Sequence, residues 1–312
     1  MGHTFQFNWE IVLIEWLQRN IMTNQFLNSF LSIITELGDS LFIVLLVGFL
    51  YWVYDKKLGL YLALNVVCAQ VFGSMLKNIV SRRRPYFDNE NIEPLKAVDD
   101  KYDIYDIKGQ GFSFPSGHCV NGASITTSLY RYTKNKILLI ICTIIYTLVG
   151  ISRFALGLHY PSDVIVGFIF GFFVSCLVPY LLNKLGKNKA YLLILFFGAI
   201  GFLFCKSNDY YSTYGLLLGF ILGDLFENKF VNFDNTRNII KTILRMVLGA
   251  LIFLLIIEGM KVPFSVDFLE GDEFVSHLFR SFRYALGTFV VIGIYPKLFT
   301  LNILKLDDKM KK

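Results

Sequence analysis

What most restricts the fold of this chain is a series of apolar runs, each close to the length needed to cross a bilayer. A hydrocarbon core of about 30 Å takes roughly 20 helical residues. Runs of that kind occupy residues 39–54, 58–80, 137–156, 162–185, 190–205, 210–226, 239–259 and 274–303. Backbone groups in lipid must be satisfied within their own segment, so repeated runs of this kind predict helices. Composition agrees, with 54% hydrophobic and 17% charged residues, against roughly 25% charged in soluble chains. Disorder, collagen and coiled coil are excluded, and a soluble enzyme does not fit. The 31 Phe and 17 Tyr suit lipid contact and interfacial anchoring. The net charge of +6 is modest and sits in loops, which argues against a nucleic-acid partner. The expected fold is an all-α, polytopic transmembrane helix bundle.

The loops sort into two alternating sets. One holds Lys56 and Lys57; Arg131, Lys134 and Lys136; Lys184, Lys187 and Lys189; Lys229, Arg237 and Lys241; and the tail Lys305, Lys309, Lys311 and Lys312. The other, at 81–116, 157–161, 206–209 and 261–273, is poor in Lys and Arg apart from the cluster at 82–84. The positive-inside rule assigns the first set to the cytoplasm and the second to the far side.

Residues 9–17 read as an interfacial amphipathic helix and 24–37 as a short, partly inserted one. No cleavable signal peptide is expected. Residues 117–132 form a helix too polar for lipid, with His118, Asn121, Ser124, Thr126 and Thr127, so it belongs inside the bundle. Cys68, Cys119, Cys142, Cys176 and Cys205 form no CxxC pair and read as small core residues.

Three polar segments fall on the second side. In the first, Lys77 and Arg84-Pro85 stand seven residues apart, about two helical turns, which would bring both cations to one face. Basic residues at helix ends commonly snorkel, but Arg82–Arg84 run against the positive-inside bias, and an anionic substrate would explain them. Arg offers a planar fork to phosphate oxygens and Lys a point charge. In the second, Pro115-Ser116-Gly117-His118 opens the polar helix. Its free N–H groups form an anion site, Gly117 lets a ligand approach the backbone, and His118 can move a proton near neutral pH. In the third, Ser152-Arg153 is followed by His159 in a Gly157/Pro161 turn and by Asp163 four residues on. A carboxylate there can accept the imidazole N–H and leave the other nitrogen free to attack. Between the first two lies loop 86–114, with Asp88, Glu90, Glu93, Asp99, Asp100, Asp103 and Asp106. Its acids are expected to face solvent or pair with arginines, serving substrate access rather than chemistry.

These segments resemble the three signature motifs of the type 2 phosphatidic acid phosphatase superfamily, KxxxxxxRP, PSGH and SRxxxxxHxxxD, and match every fixed position. The resemblance covers about residues 39–183. It implies a six-helix phosphatase core at 39–183, preceded by interfacial and short helices at 1–38 and followed by about four additional helices in a C-terminal extension at 184–312. It also implies that Lys77, Arg84 and Arg153, with Ser116 and Gly117, hold phosphate; that His159 is the nucleophile, oriented by Asp163; and that His118 is the general acid and then base. Phosphoryl transfer needs mainly positioning and charge stabilisation, so no metal or other cofactor is expected. The implied substrate is a phosphorylated membrane lipid of the phosphatidic acid, isoprenyl (di)phosphate or sphingoid phosphate type. The implied location is a bacterial cytoplasmic membrane, with the site on the non-cytoplasmic side. Two alternatives are a lipid phosphotransferase of the same superfamily and a non-enzymatic carrier using Asp224, Arg245 and Glu258 in the C-terminal bundle.

Overall fold

The computed structural model describes residues 5–99 and 101–301; Asp100 and the lysines Lys305, Lys309, Lys311 and Lys312 lie outside the described residues. Those described form an all-α bundle. Its helices are α1 (Asn8–Asn20), α2 (Gln25–Ile34), α3 (Ser40–Phe49), α4 (Lys56–Val80), α5 (Gly117–Thr133), α6 (Lys136–Ala155), α7 (Pro161–Leu185), α8 (Lys187–Ala199), α9 (Asn208–Phe230), α10 (Ile239–Gly259) and α11 (Phe274–Phe289). By length and composition α4, α6, α7 and α10 can each cross a membrane, and the pair Gln25–Gly38 and Ser40–Tyr54, bent by 50°, makes a fifth if it is one broken span. Of the remaining apolar runs, that at 210–226 lies within the 23-residue α9, while those at 190–205 and 274–303 are broken before their ends. α8 tightens into a 3₁₀ turn at Ile200–Leu203, and the run at 274–303 is interrupted after a π turn at Val290–Ile294 by Pro296.

Small residues decide how the helices meet. Gly167 and Gly171 let α7 lie against α5: a Cβ at Gly171 would sit 2.3 Å from the Val120 carbonyl oxygen, and one at Gly167 2.8 Å from that of Ser116. Ser124 and Ser175 hydrogen-bond across the same seam at 2.6 Å. Gly215 and Gly219 do likewise for α9 against α11, where added Cβ atoms would meet the Ser281 and Ala285 carbonyl oxygens at 2.2 Å. In lipid, such close approach of backbones replaces the hydrophobic drive that water supplies to soluble bundles. The π turn at the end of α11 shifts its backbone pairing. The carbonyls of Val291 and Ile292 accept hydrogen bonds from Trp52 Nε1 (3.2 Å) and Tyr51 OH (2.8 Å), both on a second π turn at Leu50–Tyr54. The C-terminal helices are thereby fastened to the first half of the chain.

The loops gather at two opposite ends. At one, Lys56 pairs with Glu227, Lys187 with Asp224, and Asn235 accepts from the Lys56 N–H. At the other, Asn78 Nδ2 donates to Ser207 Oγ, Lys108 pairs with Asp272, and Gln18 bonds the backbone of Glu93. The charges within the C-terminal spans all have partners. Buried Asp224 accepts from Tyr191 OH and Asn228, Glu258 pairs with Lys261, and Arg245 donates to the carbonyls of Trp52 and Asp234. They read as fastenings of the bundle. Cys68, Cys119, Cys142 and Cys205 are buried, Cys176 half-buried, and all are free.

Candidate active site

The first motif does not place Lys77 and Arg84 on one helix face. α4 ends at Val80, and Ser81 turns into the left-handed region at φ 50°. The residue before a proline is held extended, and Arg84 has φ −73° and ψ 156°. The two cations therefore reach the site from a helix end and from the strand-like segment after it. Arg84 is 2% exposed. Its Nε donates to the carbonyls of Gln110 (3.0 Å) and Gly111 (3.1 Å), and its Nη2 to Gln110 (2.7 Å). Its Nη1 reaches the Leu158 carbonyl (2.9 Å) and His159 Nε2 (3.1 Å).

Gln110, which sequence reasoning missed, organises the long loop. Its side chain accepts from the N–H groups of Val98 and Asp99 and donates to the Asp99 carbonyl, while its own carbonyl holds Arg84. A lone Gln in a polar loop carries no signal that would single it out. The acids around it cap turns: Asp99, Asp103 and Asp106 accept from the N–H two residues on, and Asp88 pairs with Arg83.

Ser116 is the N-cap of α5, but its hydroxyl accepts no backbone N–H. Its own N–H donates to the Asp163 carbonyl at 3.1 Å, which ties the second motif to the third. A Cβ at Gly117 would meet nothing within 4 Å, so the helix entrance is open on that side. His118 packs on Gly38, where a Cβ would come within 2.8 Å of its ring, and its Nε2 lies 3.4 Å from Arg153 Nη1. Arg153 also donates to Thr35 Oγ1 at 3.0 Å. The break in the bent pair at 38–39 thus lies beside the two polar side chains His118 and Arg153, and neither Thr35 nor Gly38 was legible as part of a site.

His159 lies in the turn between α6 and α7, where its N–H and that of Leu158 donate to the Arg153 carbonyl. Gly157 makes the turn possible with φ +78°, and a Cβ there would sit 2.5 Å from the Glu93 carbonyl oxygen. His159 is 2% exposed. Burial first, then the charges of Arg84, Arg153 and Lys77, push its basicity well below that of an ordinary histidine. Arginine can only donate, so the contact with Arg84 leaves Nε2 as the bare acceptor and the proton on Nδ1. Asp163 Oδ2 is 3.6 Å from Nδ1, longer than a hydrogen bond. The Asp163 carboxylate bonds Arg82 Nη1 at 2.6 Å and the Tyr160 N–H at 2.8 Å. Lys77 is 3.9 Å from Asp209, at the start of α9. Three buried polar atoms at motif positions have no protein partner: Ser116 Oγ, Arg153 Nε and His159 Nδ1. Among the described residues no His, Cys, Asp and Glu group is arranged to hold a metal.

The structure therefore brings His159, Arg84, Arg153, His118, Ser116 and Asp163 into one connected region, with Lys77 close enough to bear on His159. The PAP2 superfamily pattern matches residues 57–187, and that of the PAP2 superfamily phosphatase transmembrane extension matches 211–307. Phosphatidylglycerophosphatase B of Bacillus subtilis is 31% identical over 171 residues, which cover 51% of this chain and 76% of that protein. The lipid A 4'-phosphatase of Porphyromonas gingivalis is 27% identical over 141 residues, 43% of this chain and 57% of its own length. A crystal structure of a transmembrane PAP2 type phosphatidylglycerolphosphate phosphatase from Bacillus subtilis aligns at TM-score 0.44 and 29% identity, over 57% of this chain and 89% of that one. With a relative matched over three quarters of its length and two family patterns in chain order, this multi-pass membrane protein belongs to the PAP2 superfamily.

Proposed function

We propose that this protein hydrolyses the phosphate group of a phosphorylated membrane lipid through a phosphohistidine on His159, without a metal ion. The observation that carries the reading is the contact of Arg84 Nη1 with His159 Nε2 at 3.1 Å. It puts an unprotonated nitrogen lone pair beside a cation suited to phosphate oxygens. Lys77, Arg84 and Arg153 supply the positive charge that phosphoryl transfer needs, with the open N-terminus of α5 at Ser116 and Gly117. His159 Nε2 attacks phosphorus, and the P–O bond to the lipid breaks with its electron pair on oxygen. His118, charged to the imidazolium once the phosphate anion is bound beside it, gives that oxygen its proton and becomes neutral. Water then attacks phosphorus, His118 takes the water proton, and the P–N bond breaks to release inorganic phosphate and free His159.

The named relatives act on a glycerophospholipid phosphate and on lipid A, which supports a lipid phosphate as substrate class here. The site lies at the end of the bundle opposite the loops rich in Lys and Arg, which supports catalysis on the non-cytoplasmic face. We assign residues 39–183 to the catalytic core and 184–312 to the extension.

The test is phosphate release by the protein purified in detergent with EDTA present, from phosphatidylglycerophosphate, phosphatidic acid, an isoprenyl diphosphate, a sphingoid phosphate and lipid A. Activity on at least one substrate, retained in EDTA, inhibited by orthovanadate and lost in His159→Asn, is expected. A strict need for added Mg²⁺, or full activity in His159→Asn, overturns the mechanism.

A further inference from the structure

The mechanism above uses neither Arg82 nor helix α1, yet both meet at the carboxylate behind the reacting histidine. Arg82 is fully buried. Its Nη1 reaches Asp163 Oδ1 at 2.6 Å, and its Nη2 reaches Glu10 Oε2 at 2.8 Å. The planar guanidinium lies 3.7 Å from the Tyr160 ring centroid and 4.1 Å from that of Phe5. Its Nε donates to the Phe5 carbonyl. Glu10 is also fully buried, and its Oε1 accepts the Ser162 N–H at 2.8 Å, one residue before Asp163. Buried charge is costly unless paired in good geometry. Here one cation is shared by two carboxylates, both without solvent exposure.

That sharing has an electrostatic consequence. Were Arg82 paired with Asp163 alone, the two charges would cancel as seen from His159. With Glu10 present, the trio carries a net charge of −1. As Nε2 bonds phosphorus while Nδ1 keeps its proton, the ring becomes positive, and the unit facing Nδ1 at 3.6 Å is this negatively charged trio. We propose that Glu10 is a positioning residue for phosphoryl transfer. It acts through Arg82 to fix Asp163 and to leave it the negative charge that stabilises the phosphorylated imidazole. This rests on His159 being the nucleophile. The other charged groups that bear on His159 are Lys77 from α4, Arg84 from the segment after it, His118 from α5 and Arg153 from α6, all cationic or neutral. The Glu10 unit is therefore the counterweight on the Asp163 side.

The test compares the full-length protein in detergent with Glu10→Gln, Glu10→Asp and Glu10→Gln/Arg82→Gln, each rate expressed per monodisperse protein. Glu10→Gln keeps an oxygen for the Ser162 N–H but removes the charge. It is expected to lower kcat by about 10- to 100-fold, by analogy with the loss of the outer partner of a metal-bound histidine. KM should stay within about twofold, and the acid limb of the pH profile should move to lower pH, because less negative charge favours protonated His159 less. Glu10→Asp keeps the charge and should keep the acid limb of the wild type. The double variant restores the net charge of −1 and should return the limb toward the wild-type position. A role in folding alone predicts that Glu10→Asp fails as badly as Glu10→Gln, with no shift of the limb, and that the double variant is the worst of the three; that pattern overturns the proposal. Unchanged kcat and pH profile in Glu10→Gln, with His159→Asn inactive, refutes the role of Glu10 and leaves the assignment of His159 standing. Turnover in His159→Asn at the wild-type rate removes the ground beneath both.

Discussion

Replacing Arg84 by lysine keeps the charge of the proposed phosphate clamp and removes its shape. Arg84 uses Nε and Nη2 on the Gln110 and Gly111 carbonyls, and Nη1 on the Leu158 carbonyl and His159. These contacts aim the fork along the line between the long loop and the histidine turn. A single ammonium cannot hold both sides of that line, so either the loop or the turn loses its anchor. Hydrogen bonds to charged groups are worth about 1.5–3 kcal/mol each. Losing two transition-state contacts to phosphate oxygens at about 2 kcal/mol each gives about 4 kcal/mol, on the order of 10³ in kcat/KM. The assay is release of inorganic phosphate from the best lipid substrate in detergent, with thermal unfolding measured on the same preparation. Arg84→Lys within about tenfold of wild type, on folded protein, would show that charge alone suffices and that the fork geometry does not matter.

Three further outcomes follow from the site. His159→Ala should abolish acid-labile phosphoprotein in rapid-quench experiments, whereas His118→Ala should recover part of its first step with a nitrophenyl phosphate, whose leaving group needs little protonation; phosphoprotein in His159→Ala would assign the nucleophile elsewhere. Because burial and the surrounding cations depress the basicity of His159, the free enzyme should hold Nε2 bare below the ordinary histidine range. The acid limb of kcat/KM, corrected for the substrate's own phosphate ionisation, should then lie below about pH 6.5, and a limb above that value contradicts the electrostatic account. Single cysteines at Asp103 and Lys189, in a background without the native thiols, should label from opposite sides of sealed vesicles; labelling from one side contradicts the topology.

The parts of this molecule that sequence displayed are those with a local pattern. Apolar length marked α4, α6, α7 and α10, and the alternation of basic loops anticipated the two ends where the loops meet. The motif residues His159, Arg84, Arg153, His118 and Ser116 lie together, but the helix argument for Lys77 and Arg84 failed because Ser81 takes a left-handed conformation and Pro85 holds Arg84 extended. Long-range partners were invisible. Glu10 reads as one polar residue of an amphipathic helix until folding sets it beside Arg82, and Thr35 becomes an Arg153 partner only because the bent pair brings it there. The expected link from Asp163 to His159 is present as proximity, while the short contacts of that carboxylate go to Arg82 and Tyr160.

Helix α4 is gripped at both ends by the C-terminal half of the chain. Near its C-terminal end Asn78 takes the N–H groups of Lys206 and Ser207 and donates to Ser207 Oγ, while Lys77 lies near Asp209. At its N-terminal end Lys56 is held by Glu227 and Asn235. A beam clamped at two points resists sliding along its axis and rolling about it, so the height and bearing of Lys77 are set in part from beyond the proposed catalytic core. The extension therefore acts as a splint. A chain cut after Gly186 would lose the far side of both clamps, and co-expression of residues 187–312 as a separate polypeptide should restore catalysis by reassembly, as two halves of a jig recover their alignment when bolted together.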